Sequence, residues 1–167
     1  MIFLLRVLHI VAGAFWFGAV IFTARFLMPS LRAAGPAAGP VMAQLNQRKL
    51  SQALVGAAIV NVVAGVWLMW MVSGGDMKSW MRSGMGGTFA TGGALAILAL
   101  IIGIAMNPPA VKRMGAIQEA VGKRGGPPTP EEVAMLEKLQ ARMRAGTAIV
   151  AALLTLAVIA MAVARYM

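Results

Sequence analysis

His9 is the only histidine in the chain, and it lies inside an apolar run, Ile2–Leu27. That run is long enough to cross a bilayer as one helix, at about 20 residues per span. An ionisable side chain is costly to hold in hydrocarbon, so it usually faces the interior of a helix bundle and serves a purpose there. At helical steps of three or four residues, Arg6, His9, Gly13, Trp16 and Val20 fall on one stripe. The stripe lines up a cation, an imidazole, a bare patch of backbone and an aromatic plate. Neutral imidazole is a common axial ligand of iron, and a transmembrane four-helix bundle is a suitable container for haem. Gly13, one turn from His9, would let a porphyrin lie against the helix, and Arg6 or Arg82 would pair with its propionates. With one histidine, bis-histidine ligation within one chain is excluded, so a second ligand would be a methionine, the histidine of a second copy, or none. The competing reading makes His9 an interhelical hydrogen-bonding residue without a cofactor.

Copper is the alternative metal. Thioether sulfur suits Cu(I), and the chain has 14 methionines. Met77, Met81 and Met85 recur every fourth residue, with Met69 and Met71 just upstream, so with His9 they form the candidate metal set. Against this stands the ordinary use of methionine as an apolar packing residue. Other chemistry is poorly supplied. The acids Asp76, Glu119, Glu131, Glu132 and Glu137 all lie between or beyond the apolar stretches, and cysteine is absent. No phosphate loop, dinucleotide fingerprint or nucleophile elbow is present. These absences argue against hydrolytic and nucleotide chemistry.

The elements that must position His9 follow from hydropathy. Of 167 residues, 60% are hydrophobic and only 12% charged, and the mean hydropathy is +0.80. Four apolar stretches stand out, at Ile2–Leu27, Leu54–Val72, Thr88–Met106 and Gly146–Ala164. They imply an all-α, transmembrane four-helix bundle forming one domain over residues 1–167. The first stretch is longer than the core of a cleaved signal peptide, and no polar-flanked small-residue cleavage site follows it. The net charge of +10 reads as membrane orientation, and nucleic acid is not expected as a partner. Eleven of the 15 Lys and Arg residues fall in the first and third loops, and the rest are Arg6, Lys78, Arg82 and Arg165. The positive-inside rule then places both termini outside and the first and third loops in the cytoplasm. His9 would lie about 12 Å in from the outer end of the first helix.

Local signals fill in the chain. The first helix is expected to end near Pro29, with Ala33–Pro40 as a loop and Val41–Gln52 as a helical lead into the second span. Asn61 reads as interhelical glue, and Trp67 and Trp70 as members of the interfacial belt. Asp76 is expected to cap a short turn. The third span opens on small residues, including Gly86, Gly87, Gly92 and Gly93, and is expected to end at Asn107-Pro108-Pro109. Thr129-Pro130-Glu131-Glu132 is a capping box, opening a long fourth helix from Pro130 to about Arg165. At about 50 Å that helix outruns the bilayer, so its first turns project into the cytoplasm and pack on Val111–Val121.

The spacing His9-Ile10, Trp16-Phe17, Arg25-Phe26 resembles the first helix of the HemJ-type membrane protoporphyrinogen oxidases, in which this histidine is implicated in haem binding. The pattern His9, Trp16, Gly18 is similar to the copper-resistance protein D membrane domain and to a broad group of uncharacterised bacterial four-helix membrane proteins. Met161–Tyr166, Pro29 and Pro109 look like that last group. Four residues after Trp80 stands Gly84, where the oxidases carry a lysine. The resemblance therefore implies the scaffold and haem b, rather than protoporphyrinogen oxidation, in a multi-pass protein of the bacterial inner membrane. The expected function is haem or metal binding for redox chemistry or copper handling, with His9 as principal ligand. The alternatives are a cofactor-free membrane subunit or homo-oligomer working through its glycine-rich faces, or a small transporter. The spans lack the paired charges that usually mark an ion path.

Overall fold

The computed structural model describes residues 1–167, the side chain of Pro36 apart. The described residues are helical almost throughout, with no strand among them. α1 (Ile2–Phe22) passes through a π turn (Thr23–Leu27) into α2 (Met28–Ala33); α3 (Ala38–Gln47), α4 (Leu50–Val72), α5 (Met77–Trp80), α6 (Gly84–Arg124) and α7 (Pro130–Val163) follow. Four segments are long and apolar enough to cross a membrane: Ile2–Ala33, Leu50–Val72, Gly84–Arg124 and Pro130–Tyr166. Their outward faces are apolar: Phe3 is 74% exposed and Ile10 64%. Water does not tolerate such a surface over the whole girth of a protein, whereas lipid does. The chain is a multi-pass membrane protein.

The helices form a ring in which α1 packs on α4, α4 on α6, α6 on α7 and α7 back on α1. The centre is built from Trp16 and Val20 of α1, Ala58 of α4, Ala96 and Ala99 of α6, and Val150, Ala151, Leu154 and Ala157 of α7. Alanine dominates because small side chains let helix backbones approach, and close packing is what holds helices together where lipid replaces water. A second, smaller cluster joins Ala110 with Leu139 and Met143, flanked by Val111, Met114 and Ile117. The first turns of α7 thus lie on the late part of α6, as the sequence pattern predicts.

Several boundaries differ from sequence expectation, each for a physical reason. Pro29 does not end the first helix. The preceding π turn, in which the Met28 N–H reaches back to the Thr23 carbonyl, loosens the coil, and Pro29 then falls in the first turn of α2, where no N–H is required. The helix runs to Ala33, and α3 already begins at Ala38 inside the expected loop. Val41–Gln52 is not continuous, because Lys49 adopts a left-handed φ of 57° between α3 and α4. Pro108 and Pro109 lie within α6 instead of ending it. Pro109 cannot bond the Ala105 carbonyl, and Arg142 Nη2 of α7 donates to that oxygen at 3.0 Å. The helix survives its prolines because a neighbouring side chain replaces a missing donor.

The turn into α7 is heavily specified. Gly125 closes α6 at φ 71°, a conformation that favours glycine. The Thr129 hydroxyl accepts from the Glu132 N–H at 3.3 Å, and Glu132 Oε2 accepts from the Thr129 N–H at 2.8 Å. Arg124 donates to both carboxylate oxygens, at 3.1 and 2.6 Å. The 34-residue α7 exceeds the hydrocarbon thickness, so this capped end lies outside the spanning part. There the Arg124 guanidinium, aided by the Thr129 N–H, holds the Glu132 carboxyl below the usual carboxylate range.

Candidate functional site

α1 and α4 meet through a reciprocal pair of contacts. His9 and Gly13 are one turn apart on α1, and Asn61 and Gly65 are one turn apart on α4. The His9 ring lies over Gly65, where a Cβ would come within 2.8 Å of Cε1 and 3.0 Å of Nδ1. One turn deeper, the Asn61 carboxamide lies over Gly13, where a Cβ would come within 2.6 Å of Oδ1. Each polar side chain thus fills the space its partner helix leaves by carrying glycine. Asn61 is 7% exposed, the one polar side chain among the described residues that is buried. His9 is half-buried; on the same stripe Trp16 and Val20 are buried and Arg6 is exposed.

The imidazole is oriented by one hydrogen bond, 2.8 Å between His9 Nδ1 and the backbone carbonyl of Asn61. A carbonyl only accepts, so Nδ1 carries the proton and donates. In this tautomer the lone pair is on Nε2. Metal-ligating histidines are usually held in this way, with the far ring nitrogen donating to a carbonyl or carboxylate that fixes tautomer and angle.

The donor set bears on which group would fit. No cluster of three His, Cys, Asp or Glu is present among the described residues, so a bare divalent ion lacks the three or four ligands it needs. Haem brings four nitrogens of its own and asks the protein for an axial ligand, a demand that a single histidine can meet. Gly13 does not provide the expected resting place for a porphyrin, because the Asn61 amide occupies it. The three methionines do not lie on one continuous helix. α5 covers only Met77–Trp80, Asp76 Oδ1 capping it through the Ser79 N–H at 3.0 Å, and α6 starts afresh at Gly84 behind the Ser83 cap. Met77 opens the short helix, Met81 follows it and Met85 belongs to the next. Arg82, the other expected propionate partner, is exposed in the same connection.

Sequence reasoning did not find Gly65, nor that Asn61 answers Gly13. The signal was available as two His/Asn-x-x-x-Gly spacings in helices that must be antiparallel neighbours, but no single helix reveals which glycine receives which side chain. Comparisons with protein-family models, curated proteins and solved structures return no match for this chain.

Proposed function

We propose that this is a haem-binding redox protein of a bacterial inner membrane, with His9 Nε2 as axial ligand. The observation that carries the reading is the 2.8 Å hydrogen bond from His9 Nδ1 to the Asn61 carbonyl, which leaves a lone pair on a fixed imidazole inside a membrane helix. Bound haem would supply one-electron chemistry at its iron. The chain's own residues do the positioning. Gly65 gives the ring its seat, the Asn61 carbonyl sets its tautomer, and Trp16, two turns further along α1, is buried in the bundle. The excess of Lys and Arg in the first and third loops supports an orientation with both termini outside and the α6–α7 arm in the cytoplasm. The resemblance of the first helix to haem-associated membrane families supports the same reading. Cu(I) handling by Met77, Met81 and Met85 has less support, since no single helix carries all three.

One observation favours a second reading. The His9–Gly65 and Asn61–Gly13 contacts also suffice to lock two helices together, as in a cofactor-free structural subunit. An absorption spectrum separates the two. Protein purified in detergent from haem-sufficient cells is expected to show a Soret band, with α and β bands sharpening on dithionite reduction, all lost in His9→Ala. A flat visible spectrum from folded wild-type protein contradicts the haem reading and leaves the structural one.

A further inference from the structure

At the far end of α1 from His9, a groove of about 480 Å³ opens between the π turn with α2 and the middle of α7. Arg32 lines it from α2 and Arg144 and Thr147 from α7, with Ala24, Met28 and Ala148 forming an apolar floor. No acidic residue lines it. Neither arginine belongs to an ion pair among the described residues, where the two pairs found are Lys123–Glu119 and Arg124–Glu132. Two arginines lining one concavity from helices far apart in sequence, with no acid beside them, leave it electropositive. The groove stands at a membrane boundary, since Arg144 immediately precedes the apolar run Gly146–Ala164 and Arg32 ends the first spanning segment.

We infer that this groove is a binding site for the headgroup phosphate of an anionic phospholipid. The guanidinium fork matches phosphate oxygens two at a time, and the apolar floor suits the glycerol and first methylenes of a lipid. The volume falls in the range usual for small-molecule sites, about 300–1,000 Å³. Basic pockets between helices on the cytoplasmic side are a recurrent means of recognising such headgroups. The orientation inferred above puts this groove on that side. The site does not depend on haem, so it stands or falls separately from His9.

Native mass spectrometry of the full chain, released from nanodiscs of equal phosphatidylglycerol and phosphatidylcholine, tests the inference. The wild type is expected to retain one phosphatidylglycerol in preference to phosphatidylcholine. The Arg32→Gln, Arg144→Gln double variant is expected to bind it about tenfold more weakly, the scale of losing one charged hydrogen-bond set. Ala148→Trp, which fills the groove and leaves both charges, is expected to do the same. Arg113→Gln, outside the groove, is expected to bind as the wild type does. Equal retention of the two lipids, or retention unchanged in both groove variants, overturns the proposal. Competition by millimolar inorganic phosphate equal to that by the lipid would also overturn it, by assigning the groove to a free anion.

Discussion

The two most tightly matched helix pairs, α1–α4 and α6–α7, use the same contact. In each, an asparagine lies on a glycine of the partner. Asn61 covers Gly13, and Asn107 Oδ1 lies 3.0 Å from where a Cβ on Gly146 would be. What surrounds the contact differs. Beside Asn61 stands His9, bonded to the Asn61 carbonyl. Beside Asn107 stand two prolines, and the polar partner is Arg142, which serves the Ala105 carbonyl; Asn107 Oδ1 itself is buried without a partner. The α6–α7 pair spends its polar groups on repairing a helix. The α1–α4 pair holds a titratable ring with a nitrogen left over. Asparagine on glycine is therefore a packing device in both places, and only the added histidine turns one of them into a candidate site.

The comparison is broken most severely at His9. His9→Ala is expected to abolish the haem spectrum, whereas Asn107→Leu leaves it unchanged, both read by the reduced-minus-oxidised difference at equal protein. Next comes Gly65→Ala. Its Cβ would press on the ring at 2.8 Å, turning the imidazole off its carbonyl, and haem affinity is expected to fall about 10- to 100-fold, as for other lost supporting contacts. Gly13→Ala displaces the Asn61 amide from a 2.6 Å approach and is expected to lower stability by about 1–3 kcal/mol, recovered in part by adding Asn61→Ala. Thermal unfolding of the four combinations in one detergent measures this. Asn107→Leu removes an unpaired acceptor and is expected to be neutral or stabilising by about 1 kcal/mol in the same measurement.

The smallest effect lies in the arm beyond α6–α7. Arg124 and the cap hold the Glu132 carboxyl below its ordinary range. Its contribution is therefore complete above about pH 4.3, the ordinary glutamate value, and is lost as pH falls through the lower folded-state value. Hydrogen exchange in the first turn of α7 is expected to quicken over that acid interval in the wild type and to show no such step in Glu132→Gln.

Much of this architecture is legible in sequence because its causes are local. Four apolar runs give four spanning helices, Thr129 and Glu132 announce the start of α7, and the step from Trp16 to Val20 marks the inward face of α1. The prolines mislead because their remedies lie elsewhere. Pro109 is tolerated through an arginine that sits 37 residues from the carbonyl it serves, and Pro29 through a π turn that no residue type signals. The candidate site is half legible. His9 stands out by composition alone, but the glycine under its ring, the carbonyl that sets its tautomer and the amide covering Gly13 all depend on a partner helix. The same holds for the methionines, whose four-residue spacing has meaning only on a continuous helix, and the chain ends one at Trp80 and starts another at Gly84.

Because the chain has a single histidine, ¹⁵N-histidine NMR of untagged protein in micelles reads His9 without assignment. The expected result is an Nδ1–H tautomer with a bare Nε2, which stoichiometric haem shifts or broadens selectively. A proton on Nε2, or an Nε2 resonance unmoved by haem, would contradict it.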